Sequence, residues 1–142
     1  MIVEFIKDVS ENTFVPEVIE KSKEKIVIVD FWAPWCGPCK ALTPILESQA
    51  TKKKDYLEVV KVNVDENQGI ASQLRVQSIP AVFAFSDGQP VDGFMGAKTE
   101  PEVENFLDTI IKKFSKNNSN MSEEFEILLS EERFEEVKLA SE

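Results

Sequence analysis

The sequence predicts an α/β protein: a mixed central β-sheet flanked by helices on both faces, with a short helical C-terminal tail. Three observations carry this. Lys25-Ile26-Val27-Ile28-Val29-Asp30-Phe31 is an unbroken β-branched run, of the kind that suits a central strand covered on both faces. Residues 81–85 and 91–95 flank Ser86-Asp87-Gly88-Gln89, a strong hairpin-turn signal. Around these runs the apolar spacing switches to the helical period, most plainly over residues 99–114.

In chain order, residues 2–6 read as a first strand. Residues 11–21 form a plausible first helix, with Phe14, Val15, Val18 and Ile19 at helical spacing and Pro16 in the first turn, where proline is tolerated. After the central strand, residues 38–53 read as a helix in which Pro44 predicts a kink. Residues 57–64 form another strand, 67–74 a short helix, and 81–85 and 91–95 the hairpin. In the last helix Thr99 can cap, Pro101 suits the first turn, and Val103, Phe106, Leu107, Ile110 and Ile111 make an apolar stripe. The order is β-α-β-α-β-α-β-β-α. Strands separated by helices are read as parallel, with right-handed crossovers, and the final hairpin as an antiparallel pair.

At 142 residues and 42% apolar, the chain has room for one core of ordinary size. We divide it into a domain at 1–114, a polar linker at 115–121 and an acidic helical tail at 122–142. Eight acidic and three basic side chains fall within residues 115–142, so the composition shifts there. Two short amphipathic helices are read at 122–129 and 134–140. Their apolar residues, Phe125, Leu128, Leu129, Phe134, Val137 and Leu139, have no obvious partner within the tail.

The formal charge of −10, from 26 acidic and 16 basic residues, argues against nucleic acid and against anionic membrane surfaces. No stretch reaches the roughly 20 apolar residues of a membrane helix. The N-terminus lacks a basic region followed by an apolar one, so a cytoplasmic location is expected. With two cysteines and no histidine, the chain cannot supply the four ligands of a structural zinc site, and no metal is expected.

Cys36 and Cys39 stand in Trp35-Cys36-Gly37-Pro38-Cys39-Lys40, between a predicted strand and a predicted helix. That places Cys36 at a helix N-terminus, where unpaired amides and the positive dipole end stabilise an anion. The thiolate is the nucleophile, and a thiol of pKa about 8.5 is only about 3% ionised at pH 7. Cys36, at the mouth of the turn, is the expected attacker. Cys39, deeper, is expected to resolve the mixed disulfide. Glycine allows close approach, and proline supplies the first-turn φ without needing an amide donor. The alternative, a structural staple, would constrain the unfolded chain by only about 2 kcal/mol in so small a ring.

Val29-Asp30-Phe31-Trp32-Ala33-Pro34-Trp35-Cys36-Gly37-Pro38-Cys39-Lys40 resembles the active-site segment of thioredoxins, and the likeness extends over about residues 3–112. Pro44, Lys61-Val62-Asn63-Val64-Asp65, Ile79-Pro80, Gly88 and Gly96 match further features of that family in order. The resemblance implies the thioredoxin fold and reduction of protein disulfides, with no cofactor beyond a redox-active Cys36–Cys39 disulfide. It implies disulfide-containing client proteins and a thioredoxin-reductase-type flavoprotein as partners. It makes Asp30 a buried carboxylate that exchanges a proton with Cys39, Lys61 a neighbour that moderates its charge, and Pro80 a cis proline facing Cys36. Trp35, Ile79, Met95, Gly96 and Ala97, with Gly37 and Pro38, would form the docking surface. Trp32 is read as support for the active-site loop, and Met95 equally as core or surface.

Leu42-Thr43-Pro44-Ile45-Leu46-Glu47-Ser48 and Gly88-Gln89-Pro90-Val91-Asp92-Gly93-Phe94 are similar to the thioredoxin domain of bacterial chaperedoxins, which join it to a tetratricopeptide-like region and act as co-chaperones. The resemblance implies an alternative role: holding unfolding clients, protecting their cysteines and passing them to a chaperonin. The run 128–137 loosely resembles a turn of such a repeat, without its usual small residue near Glu132. One partial repeat cannot bury its own apolar face, so the chain reads either as a fragment of a longer protein or as a domain with a short acidic tail. A third possibility, an oxidant or isomerase, is disfavoured because Gly37-Pro38 resembles the reducing branch.

Overall fold

The computed structural model describes residues 6–115. The expected tail, all but the first residue of the expected linker, and most of the expected strand at 2–6 lie outside the described residues.

Among the described residues, five strands form one sheet in the order β1-β3-β2-β4-β5: β1 (Ile6–Asp8), β2 (Ile26–Trp32), β3 (Leu57–Asn63), β4 (Ala81–Ser86) and β5 (Gln89–Met95). The helices are α1 (Gly37–Lys52), α2 (Gln68–Gln73) and α3 (Glu100–Phe114). β2 sits at the centre, and its first six residues are buried, as the β-branched run predicts. Side-chain alternation splits it between two cores. Ile26 and Ile28 join Leu42, Leu46 and Ala50 of α1 and Val103, Leu107 and Ile110 of α3. Val27, Val29 and Phe31 face the other way, with Val18 of the N-terminal helical segment and Ile70 of α2.

The expectation that helix-separated strands are parallel fails at β4. β1 and β2 both run parallel to β3, but β4 pairs antiparallel with β2, Val29 opposite Phe83 and Phe31 opposite Ala81. The reason is length. Six-residue α2 spans only about 9 Å, whereas returning along a seven-residue strand takes about 23 Å. The chain therefore turns near the end where β3 stopped, and β4 runs back.

Two other boundaries differ from the sequence reading. Described pairing of β1 begins at Ile6 and reaches Asp8, aligning Ile6 with Val59 and Asp8 with Lys61. The first helix is not a continuous α-helix over 11–21. Val15–Glu20 winds as a π-helix and Lys21–Lys23 as a 3₁₀ turn. Ahead of it, Ser10 and Thr13 hydrogen-bond each other instead: the Ser10 amide donates to Thr13 Oγ1 (3.0 Å) and the Thr13 amide to the Ser10 carbonyl (3.1 Å). Such local bonds compete with helix initiation.

The hairpin is as read. Asp87 (φ 54°) and Gly88 (φ 82°) take the left-handed conformations of a type I′ turn. Its tip is tied to the N-terminal helical segment by Ser22, which is fully buried: the Gly88 amide donates to Ser22 Oγ (2.7 Å) and the Asp87 amide to its carbonyl (2.9 Å). Helix α1 remains one element through Pro44, which offers no amide to the carbonyl one turn earlier.

Candidate active site

β2 delivers the chain into a tight turn, and α1 starts immediately after Cys36. Cys36 is the capping residue, with extended backbone, and its Sγ accepts the Cys39 amide at 3.1 Å. A sulfur thus takes the place of the oxygen that usually caps a helix. Gly37 and Pro38 fill the first two helical positions. A side chain at Gly37 would meet nothing within 4 Å, so the fold leaves the space open on that side of the sulfurs. Cys36 and Cys39 are disulfide-bonded, with Cα atoms 5.3 Å apart. Both are almost wholly buried, at 3% and 2% exposed. Exposure therefore does not distinguish the two sulfurs; they differ in place, Cys36 at the cap of α1 and Cys39 within its first turn. Ala33, Trp32, Val64 and Ile79 pack around them.

Asp30 lies on β2 with the parity of Ile26 and Ile28, so it points to the face that α1 covers. It is 1% exposed, and burial pushes its carboxyl up to about 7, against the opposing pull of Lys61. Lys61 is its register partner on β3, and the Lys61 ammonium also stands 5.1 Å above the Trp32 ring. Oδ1 of Asp30 and Nε1 of Trp32 are buried without a hydrogen-bond partner among the described protein atoms.

The Ile79–Pro80 peptide is cis, and the Pro80 carbonyl accepts the Gly96 amide at 2.7 Å. Gly96 has φ +94°, a conformation costly for residues with a side chain, so glycine suits this position. Met95 pairs with Ala81 and is 42% exposed, which settles its place at the surface; its sulfur lies 3.8 Å from Ser78 Oγ.

Trp35 is 69% exposed, and its indole N–H donates to Asp65 Oδ2 at 2.9 Å. Together with Ile79 it lines a groove of about 400 Å³ completed by Val64, Ala71, Val76, Gln77 and Ser78. The structure thus joins Trp35 and Ile79 in one groove and Ile79 to the cysteines. Met95, Gly96 and Ala97 do not line that groove. The sequence reading missed Asp65 as the partner of Trp35, and also missed the far wall of the groove on and after α2. Nothing in the spacing of those residues signals either.

A family model described as thioredoxin matches residues 5–109. The chain belongs to the thioredoxin family. It is 47% identical over 100 residues to thioredoxin 1 of Synechococcus elongatus, covering 70% of this chain and 92% of that one. It is 42% identical over 103 residues to a thioredoxin of Mycobacterium bovis, covering 72% and 87%. A bifunctional thioredoxin reductase/thioredoxin of Mycobacterium leprae is 39% identical over 104 residues, 73% of this chain and 22% of that protein. Thioredoxins are protein-disulfide oxidoreductases, and this chain, with its Cys36–Cys39 pair at the start of α1, is one of them. No helix among the described residues is long and apolar enough to cross a membrane.

Proposed function

We propose that the chain works as a reductase of client-protein disulfides in the cytoplasm, with Cys36 as nucleophile and Cys39 as resolving thiol. The Cys36 thiolate attacks one sulfur of a client disulfide, forming a mixed disulfide and releasing the other client sulfur as a thiolate that takes up a proton. Cys39 then loses its proton and attacks Cys36 Sγ. The Cys36–Cys39 disulfide forms, and the client leaves as a dithiol, so two electrons pass from the pair to the client. A thioredoxin-reductase-type flavoprotein would return the two electrons.

The observation that carries the assignment is the Cys36 sulfur at the N-terminus of α1, accepting the Cys39 amide. With the disulfide reduced, that amide and the helix dipole favour the Cys36 thiolate. Asp30, which points to the face covered by α1 and titrates near neutrality, is suited to accept the Cys39 proton and return it. Lys61 opposite it limits how far that carboxyl rises. Trp35 and Ile79 offer an apolar groove, and Ile79 also packs on the cysteines, which supports docking of a client segment there.

Dithiothreitol-driven reduction of insulin, with the parent chain and Cys36→Ser side by side, tests this. Activity that the substitution removes is the expected result. A folded parent chain without activity would overturn the reductase role. The chaperone-linked alternative rests on the resemblance of residues 42–48 and 88–94. It predicts that the chain suppresses aggregation of a cysteine-free client, which thiol chemistry cannot explain.

A further inference from the structure

The groove beside the cysteines is held from behind by a chain of hydrogen bonds that no step of the disulfide exchange uses. Asn67 occupies the capping position of α2, yet its side chain makes no capping bond to that helix. Its Oδ1 instead accepts the Glu11 amide (2.9 Å), and its Nδ2 donates to the Asn63 carbonyl (3.0 Å). The acceptor for the start of α2 comes from 58 residues away: Glu11 Oε2 receives the Gly69 amide at 2.6 Å. Asn63, in turn, uses Oδ1 to accept the Asp65 amide (2.9 Å), closing a turn of the kind asparagine favours. Asp65 holds the Trp35 indole. Glu11, Asn67, Asn63, Asp65 and Trp35 are therefore linked in sequence by bonds of 2.9 to 3.0 Å.

Trp35 is mostly exposed, so packing alone cannot fix its ring. Asn67 is 6% exposed and bridges two backbone groups that would otherwise lack these partners. We propose that Asn63 and Asn67, with Glu11, are positioning residues for client binding: they set Asp65, and so Trp35, on one wall of the groove and α2 on the other. None of them touches the client or the sulfurs. The inference rests on the docking role given to Trp35 above. It adds that client affinity is tuned from the loop between β1 and the N-terminal helical segment, on which no sulfur lies.

The test compares Asn63→Ala, Asn67→Ala and Asn63→Asp with the parent in two assays. One is insulin reduction, with KM and kcat separated; the other is reduction of hydroxyethyl disulfide, which is too small to fill the groove. Asn63→Asp keeps the oxygen that accepts the Asp65 amide and should restore what Asn63→Ala loses. The expected result is a rise of about three- to tenfold in KM for insulin in both alanine variants, the size of one ordinary net hydrogen bond. kcat and the small-disulfide rate should stay at the parent level. The Trp35 indole ¹⁵N–¹H resonance should move in Asn63→Ala and return in Asn63→Asp.

Trp35→Ala separates the two claims. If it leaves insulin KM unchanged, the docking role itself fails. If it raises KM while folded Asn63→Ala and Asn67→Ala do not, the positioning inference is wrong and the docking role stands. An equal loss in both assays would also overturn the inference, since it would mean damage to the sulfur chemistry or the fold.

Discussion

Helices α1 and α3 begin in similar ways and to different ends. Each has a proline in its first two positions and a capping side chain that accepts the amide three residues on. At α3 the cap is Thr99, whose Oγ1 takes the Glu102 amide while the Glu102 carboxylate returns a bond to the Thr99 amide. Glu100 and Glu102 add negative charge to the first turn. Every element of that terminus favours the helix. At α1 the cap is a sulfur, and the first turn carries no acidic residue. The positive end of α1 is left for an anion that appears only when Cys36 ionises. The same backbone device gives stability at one helix and reactivity at the other, and the difference lies in which side chains occupy it.

The two carboxylates nearest this contrast titrate in opposite directions. Glu102 at α3 is held below its usual range by its hydrogen bond to the Thr99 backbone, whereas Asp30, facing α1, is pushed up by burial. Glu102 therefore supports the fold above the ordinary glutamate range, and that support is lost as pH falls through its lowered pKa. For Asp30 the sign is reversed. Between about 4 and 7 the folded chain keeps a proton that the unfolded chain has lost, so stability falls as pH rises through that window and levels off above it.

These differences can be broken one at a time. The largest effect is expected at the sulfur cap: Cys36→Ser should lower insulin reduction by roughly 10³-fold or more, because a hydroxyl is barely ionised near neutrality. Cys39→Ser should instead trap client mixed disulfides, visible on non-reducing gels. Parent-like turnover by Cys39→Ser would rule out a resolving role. Next in size, Asp30→Asn should remove the pH window. Urea unfolding at pH 5 and pH 8 should show the variant gaining on the parent with pH, by up to roughly 3 kcal/mol. Its insulin turnover near neutrality should fall; unchanged turnover from pH 6 to 8 would remove Asp30 from the proton path.

Thr99→Ala should cost about 1 kcal/mol in urea unfolding and leave insulin reduction untouched, since that cap serves the fold alone. The smallest effect is predicted for Lys40→Glu, which gives α1 the acidic first turn that α3 already has. Thiolate absorbance at 240 nm and pH 7 should drop by roughly a factor of two in the reduced protein. A rise would mean that the helix terminus does not govern Cys36.

The same contrast shows what a sequence discloses. Thr99, Pro101 and Glu102 lie within one turn of each other, so the α3 cap was readable from local spacing. Cys36, Gly37, Pro38 and Cys39 are equally compact, and strand β2 announces itself by composition. What escaped depends on distance along the chain. Trp35 meets Asp65 thirty residues on, and Glu11 reaches Gly69 across 58. Gln77 and Ser78 enter the groove wall through the path of a loop, which no periodicity encodes. The direction of β4 was misread because adjacency of a helix and a strand was taken to imply a full return crossing, whereas α2 is too short for one. β1 runs on past Ile6 to Asp8, an extension hidden in the sequence because Lys7 and Asp8 are both exposed and show no alternation.

The sheet order has one more consequence. Both edges of the sheet are strands that could in principle recruit a stranger, and each is guarded by its sequence. Among the described residues β1 carries two exposed charged side chains, Lys7 and Asp8, in succession. β5 has seven residues, but it carries Pro90, which has no amide to donate, and exposed Asp92, and its pairing with β4 shifts between Ala84 and Phe85. A protein-disulfide oxidoreductase acts on other polypeptide chains, which can present unpaired strands of their own. Its own edges are poor templates for such strands, so an encounter with another chain does not readily extend the sheet.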